Sequence, residues 1–368
     1  MPLSEERALE IVKAYRQIKE EHPDWSDQAI ATQIPRRDGK KGITPHTLTI
    51  AKTLAGETRK RDIADIIRSI TSRVPRGRSV LDVVGVPDGA VAFGDMHFND
   101  VDCMHESFFS ALDKAIERVS LLGFRHILFI IPGDLISGTG IFRGQAISNI
   151  VNAPHHQAIV GAWALRVIYY QFQQAGIDAE FIYVQGNHDV SRDSGGDLGW
   201  WVTTEAQKLG LEISYFPLEA IVQFAPGISM LVVHGFGYSR FRPQSPAFQD
   251  HAIRRIQELN AMRPPEEQVQ HILHGHQHWL NLGFSMGNSS ITFHSLGGFQ
   301  RYTRRVKSFR PIGGALFYVR GGDLVWEELR PDPEILEQEL DDPFLYARNV
   351  SRVGDWLYRG AEELGYGR

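Results

Sequence analysis

Apolar and polar positions change rhythm twice along the chain. Over residues 5–21, Ala8, Ile11, Val12, Tyr15 and Ile18 recur at helical spacing on one stripe. Pro23 ends that helix. Ser26 stands where it can cap a second, Asp27 to Ile34, which Pro35 stops. After the basic turn RRDGKKG, Thr44-Pro45 offers an N-cap with proline at the first helical position, opening a third helix to about Leu54. This is the layout of a helix-turn-helix module whose last helix would enter a major groove, although the connection is longer than the usual tight turn. A three-helix protein-contact module has the same pattern. From about Ser79, strands alternate with helices. VAFGD (91–95), HILFIIPGD (126–134) and FIYVQGNHD (181–189) are apolar runs ending in polar loops, and 104–122 and 154–175 have helical length between them. Such alternation predicts βαβ units around a buried sheet, with functional loops at the carboxyl ends of the strands. Beyond residue 210, IVQFAPGISMLVVHG, FSMGNSSITFHSL and ALFYVRGGDLVWEEL read as hairpins turning at Pro-Gly, Gly-Asn and Gly-Gly, and a helix is expected over 246–262. The organisation expected is a helical domain at 1–56, a basic linker at 57–80, an α/β domain at 81–330 and a tail at 331–368. That tail is acidic and carries Phe344, Tyr346, Trp356 and Tyr358, and is expected to pack back on the body.

Composition adds three constraints. With 368 residues and 42% hydrophobic content, the chain can bury a large core. Its start, MPLSEERALE, lacks the apolar stretch of a secretory signal, and its longest strongly apolar run, Ile127 to Pro132, is too short to span a bilayer. A single cysteine, Cys103, excludes an intramolecular disulfide and fits a reducing interior. A cytoplasmic protein is therefore expected, with Cys103 a small buried hydrophobe. Net charge is −5, but residues 1–80 carry 16 Lys and Arg against 11 Asp and Glu, whereas the remainder carries 23 against 33. A basic front suggests contact with a polyanion, here nucleic acid and foremost DNA, through the basic turn and Arg59-Lys60-Arg61 flanking the third helix. An acidic body is compatible with phosphate substrates where bound divalent cations supply local positive charge.

The candidate chemistry sits in seven side chains of five short motifs: Asp95 and His97 in GDMH, Asp134 in PGDL, Asn187 in GNHD, His234 in VVHG, and His276 and His278 in HGHQH. All are oxygen or imidazole ligands, with no thiolate, a mix suited to Mn, Fe or Zn ions rather than a structural Cys-rich site. Two divalent ions roughly 3.5–4 Å apart can clamp a phosphoryl group and activate water for in-line attack. Asp95/His97 and His276/His278 share i, i+2 spacing, which in an extended segment aims both side chains one way. Gly133 and Gly275 precede ligands and let backbone approach closely.

In this order, the five blocks resemble the calcineurin-like metallophosphoesterases over roughly residues 90–300. The resemblance implies a four-layer α/β/β/α sandwich with metals at the sheets' loop edge. It implies that Asp95, His97, Asp134 and His278 hold one ion, and Asp134, Asn187, His234 and His276 the other, with Asp134 bridging. His188 would contact the scissile phosphate or protonate the leaving oxygen, a role suited to imidazole near neutral pH, and Asp189 would orient its ring. The blocks depart from the protein-phosphatase form. GDLISG and QGNHD stand in place of the longer GDxxDRG and RGNHE, and the acidic or amide residue frequent after GD is missing, since Leu135, Ile136 and Ser137 follow. This looks more like the nuclease and phosphodiesterase branches, including the exonucleases of DNA double-strand-break repair.

The expected function is thus a metal-dependent phosphodiester hydrolase acting as a nuclease on DNA. It would use two divalent ions, Mn²⁺ foremost, with Fe, Zn, Ni or Mg as alternatives. Two further readings stand beside it: hydrolysis of nucleotides or other small phosphoesters, and a DNA-binding regulatory protein with a structural metal site. His105, His126, His155, His156, His251, His271 and His294 match no block and read as surface or core residues, although His155-His156 open a helix that could face a phosphate. Arg240, Arg242, Arg254 and Arg255 could wall a groove or line a solvated helix face.

Overall fold

The structure is a computed structural model, and it describes residues 5–34, 43, 48, 83–141, 145–192, 196–235, 246–285, 290–301 and 311–366. The chain divides into two compact units, Met1–Arg76 and Gly77–Arg368. In the first, α1 (Glu5–Glu21) and α2 (Asp27–Ala31) enclose a small core of Ile11, Val12, Ile30, Ala31 and Ile34, edged by Tyr15 and Ile18. Ser26 caps α2 as expected, its hydroxyl accepting the Ala29 N–H at 3.2 Å. The helix ends at Ala31 instead of Ile34. Residues 32–34 turn instead, consistent with the steric push of Pro35 on the residue before it. The RRDGKKG turn, the helix expected after Thr44-Pro45 and the basic linker lie outside the described residues.

The second unit holds two six-stranded sheets. One has the order β14-β13-β2-β3-β4-β7, comprising β2 (Gly89–Ala92), β3 (His126–Ile131), β4 (Asp178–Val184), β7 (Ile213–Phe216), β13 (Gly314–Arg320) and β14 (Asp323–Leu329). Strands β2, β3, β4 and β7 run parallel, and β13 and β14 join antiparallel at one side. The other sheet has the order β1-β8-β9-β10-β12-β11: β1 (Val83–Gly85), β8 (Glu219–Ala225), β9 (Ile228–Val233), β10 (Val269–His274), β11 (Asn281–Ser285) and β12 (Thr292–Ser295). All three expected hairpins form, as β8/β9, β11/β12 and β13/β14. The Gly-Asn turn of the second lies outside the described residues. A two-stranded ribbon, β5 (Val190–Ser191) with β6 (Gly196–Asp197), follows β4, and a short helix, α4 (Gln145–Ser148), lies between β3 and β4.

Side-chain parity explains the layering, because successive residues of a strand face opposite sides. Ala90, Ala92, Leu128, Ile130, Ile182 and Val184 pack with Val222, Met230, Val232 and Leu273 in the core between the sheets. Val91, Ile127, Phe129, Ile131, Phe181 and Tyr183 point the other way, into a core shared with α3 (His105–Leu121), α5 (Pro154–Gln174) and α6 (Leu198–Lys208). Ile221, Leu231, Val233 and Ile272 pack on α7 (Pro246–Asn260) through Ala252, Ile256 and Leu259. Helices, sheet, sheet, helix make the four-layer α/β/β/α sandwich. Burial on both faces explains why these strands read as nearly continuous apolar runs.

After β14 the chain forms α8 (Pro333–Asp341) and α9 (Leu345–Glu363). Leu345, Val353 and Trp356 are buried, whereas Phe344, Tyr346 and Tyr358 are exposed. Asn349 of α9 donates to the carbonyls of Val101 and Cys103 at 2.9 and 2.8 Å. Glu339 of α8 accepts the N–H groups of Glu106 and Ser107 at 3.0 and 2.8 Å, capping α3. Among the described residues no helix is long and apolar enough to cross a membrane.

Candidate metal centre

The motifs lie just past the carboxyl ends of parallel strands in both sheets: Asp95 and His97 after β2, Asp134 after β3, Asn187 after β4, His234 after β9, and His276 and His278 after β10. Tertiary structure draws them into two groups, Asp95–His97–His278 and Asp134–His234–His276. Within each, one ligand atom per residue lies within 4.8 Å of the others. Asn187 joins the second, its Oδ1 2.9 Å from His234 Nε2. Asp134 stands between them. Its Oδ1 accepts the His188 backbone N–H at 2.7 Å, while Oδ2 lies 3.0 Å from His234 Nε2 and 3.8 Å from His97 Nε2. One carboxylate oxygen thus faces an imidazole of each group, the placement of a ligand that bridges through a single oxygen.

Backbone conformation corrects the sequence-based geometry. Asp95, His97, Asp134, His276 and His278 are not extended; their φ values are 53°, 52°, 55°, 69° and 50°. They are the only non-glycine residues with positive φ among the described residues. Left-handed backbone is costly for such side chains and persists where the surroundings dictate it, commonly at ligand clamps. Adjacent loops supply the constraint. Asp95 N–H donates to the Gly133 carbonyl (3.1 Å), His97 N–H to the Asp134 carbonyl (3.0 Å), and His276 N–H to Asp95 Oδ1 (2.8 Å). Gly133, at φ 92°, would press a Cβ into the His234 ring, and a Cβ at Gly186 would overlap the Asp134 carboxylate.

These residues fit divalent cations. His97 Nε2 is buried with no hydrogen-bond partner among the described residues, and His97 Nδ1 lies 3.4 Å from the Ser137 hydroxyl. His234 Nδ1 lies 2.8 Å from the Pro132 carbonyl, which fixes a proton there and turns Nε2 toward Asp134 and Asn187. Burial opposes charge on His234, yet Asp134 holds its imidazole up at about 10. Burial pushes His97 and His276 down to about 3 and about 4, reinforced by His188 for the former and His234 for the latter. Burial would raise Asp134, but His234 and His188 hold it well below the usual carboxylate range. The carboxylates demand positive charge, which divalent metal ions would supply in place of a proton on His234.

His188 lies beside this centre, its ring meeting His97 edge to face at 4.8 Å between centroids. Asp189 does not take the ring-orienting position expected of it. Its Oδ2 accepts the N–H groups of Asp134 (2.8 Å) and Gly186 (2.7 Å), so it braces the loops that carry the bridging ligand. Burial and the Asp134 charge raise Asp189 to about 6. His188 Nδ1 lies instead 3.1 Å from the Ser137 carbonyl, with the Gln145 side-chain nitrogen 3.4 Å away. Sequence reading missed this contact because a backbone carbonyl leaves no residue-type signal. Among the described residues, the histidines outside the motifs stay outside the centre. His155 and His156 are exposed and His155 packs on Tyr366, while His105 and His294 are buried. Arg255 pairs with Glu219 and Glu258, and Arg240 and Arg242 lie outside the described residues. Cys103 is buried, and burial pushes its thiol up.

A family model described as calcineurin-like phosphoesterase matches residues 90–291, more than half of the chain. The chain belongs to this family. Membership implies a metal-dependent phosphoester hydrolase, and the two ligand groups match its need for divalent metal ions. Solved structures similar to the chain include Vps29 of Entamoeba histolytica, at 10% identity over 66% of this chain and 99% of that one, with a TM-score of 0.33. Vacuolar protein sorting 29 of Cryptosporidium parvum matches at 11% identity over 67% and 99%, with a TM-score of 0.32. The 5'-nucleotidase of Candida albicans matches at 11% over 77% and 60%, with a TM-score of 0.40. No curated protein matches the sequence.

Proposed function

We propose that the protein is a phosphodiesterase acting on nucleic acid, with DNA the foremost substrate and Mn²⁺ the foremost metal. The observation that carries the hydrolytic part is Asp134 Oδ2 facing both ligand groups, with His188 alongside. Bound divalent ions would supply positive charge to the phosphoryl oxygens and activate the attacking water. Asp95, His97, Asp134 and His278 would hold one, and Asp134, Asn187, His234 and His276 the other. With Nδ1 of His188 committed to the Ser137 carbonyl, Nε2 is the atom through which a proton would reach the departing sugar oxygen. Nucleic acid as substrate is supported by the 16-to-11 excess of basic over acidic residues in residues 1–80 and by motifs that depart from the protein-phosphatase form.

The test is Mn²⁺-loaded full-length protein on single- and double-stranded DNA and on RNA, beside a chromogenic phosphodiester and a phosphomonoester, with Asn187→Ala as control. Nucleic-acid cleavage that falls at least about 100-fold in the variant is the expected result. Turnover of small esters with nucleic acids intact would move the substrate to small phosphoesters. No turnover of any ester would overturn the hydrolase reading.

A further inference from the structure

Ser137 stands where the family resemblance expects an acidic or amide residue after GD, and it touches two rings of the centre. Its carbonyl lies 3.1 Å from His188 Nδ1 and its hydroxyl 3.4 Å from His97 Nδ1. Ser137 is itself clamped. Its N–H donates to Asn99 Oδ1 at 2.7 Å, and its carbonyl accepts from the Gln145 side-chain amide. The Gln145 amide cannot flip freely, because its Oε1 accepts the Ile141 N–H at 2.8 Å; its nitrogen lies 3.4 Å from His188 Nδ1. The next carbonyl, of Gly138, accepts from Asn149 (2.6 Å) and Gln157 (3.3 Å). Asn99, Gln145, Asn149 and Gln157 are 0, 2, 6 and 0% exposed. Four buried side-chain amides therefore grip the backbone of two consecutive residues beneath His188. Buried polar groups are costly unless satisfied, and when satisfied they specify one arrangement. A carbonyl can only accept and an amide nitrogen only donate; the carbonyl is the nearer of the two to Nδ1, at 3.1 against 3.4 Å, and the Gln145 nitrogen already donates to that carbonyl, which favours hydrogen on Nδ1.

We propose that Gln145, together with Asn99, is a positioning residue for His188: the two amides hold the Ser137 carbonyl against Nδ1, which keeps the neutral ring's proton there and directs Nε2 to the leaving oxygen. The amides thus do, through a backbone carbonyl, what a carboxylate does when it contacts a histidine ring directly. The kinetic consequence rests on the phosphoester-hydrolase reading above; the ring geometry does not. A cage that merely stabilised the 137–141 loop would, on loosening, lower metal content and slow every substrate alike. A positioning clamp gives a different pattern, because proton delivery matters most when the leaving oxygen is a poor one.

The test uses full-length, nitrogen-15 histidine-labelled, Zn²⁺-loaded protein, with His188 assigned by a His188→Gln variant. The expected spectrum shows neutral His188 protonated at Nδ1; protonation at Nε2 would overturn the proposal. Gln145→Met and Asn99→Ser are then compared on two phosphodiesters that differ only in the leaving group, an alkoxide in one and p-nitrophenolate in the other. We expect kcat for the alkyl ester to fall about 10–100-fold, with KM and metal content unchanged and the p-nitrophenyl ester slowed less than about threefold. Equal losses on both esters, or losses that track metal content, would overturn it. Either variant alone decides the kinetic arm should the other not fold. If the wild type hydrolyses neither ester, the hydrolase reading fails, and the His188 spectrum still decides the positioning geometry.

Discussion

Replacing Asp189 separates two roles that sequence alone leaves confounded. The carboxylate is fully buried, and its Oδ2 accepts the backbone N–H groups of Asp134 and Gly186 at 2.8 and 2.7 Å. In Asp189→Ala both donors stay buried and lose their acceptor. Each unsatisfied donor costs about 1–3 kcal/mol, so about 4 kcal/mol is expected for the pair. Asp189→Asn should differ. Burial and the neighbouring Asp134 charge raise the Asp189 carboxyl, so the buried charge itself carries a cost at neutral pH. Asparagine sheds that cost, keeps one acceptor and loses the charge-assisted strength of the bonds, so its stability should lie within about 1 kcal/mol of wild type. Urea unfolding in chelator at pH 8 measures both. A metal-competition titration should show affinity about 10–100-fold weaker in Asp189→Ala, because the bridging Asp134 loses its backbone support. The reasoning is refuted if Asp189→Ala costs less than about 1 kcal/mol and binds metal normally while turnover alone collapses. That outcome would return Asp189 to orienting the His188 ring.

Two further outcomes follow from buried charge and from linkage. Burial raises Asp100 to about 6, against the backbone N–H of Asp102 that its Oδ1 accepts at 2.8 Å. A carboxyl raised in the folded state contributes stability below about pH 3.8 that is lost as pH rises through about 6, so between pH 4 and 7.5 wild type should lose of order 2–3 kcal/mol relative to Asp100→Asn. Unfolding free energies of both proteins at the two pH values check this, and parallel curves would refute it. Metal removal should lower thermal stability, since ions bind the folded ligand set alone; re-adding metal at 100-fold its Kd should restore about 2.7 kcal/mol, read as a melting shift absent from Asp134→Ala.

The local order of apolar runs, glycines and ligand residues determined most of the architecture. Strands ending at Ala92, Ile131, Val184 and Val233 were marked by apolar stretches closing in polar loops, and ligands stand just beyond them, whereas the strand Val269–His274 before His276 and His278 was not read from the sequence. Turn chemistry marked Pro226-Gly227 and Gly321-Gly322 as hairpin ends, because those links need few residues and particular backbone angles. Periodicity and capping residues carry such information within a few positions. What they could not carry is how residues far apart meet. Left-handed backbone at Asp95, His97, Asp134, His276 and His278 is imposed by hydrogen bonds between loops of different strands. The placing of Asp189 beneath Asp134, and of the Ser137 carbonyl against His188 with Gln145 behind it, was likewise decided by packing alone. Backbone groups and buried amides act by position rather than by residue type, so only the tertiary structure could assign them.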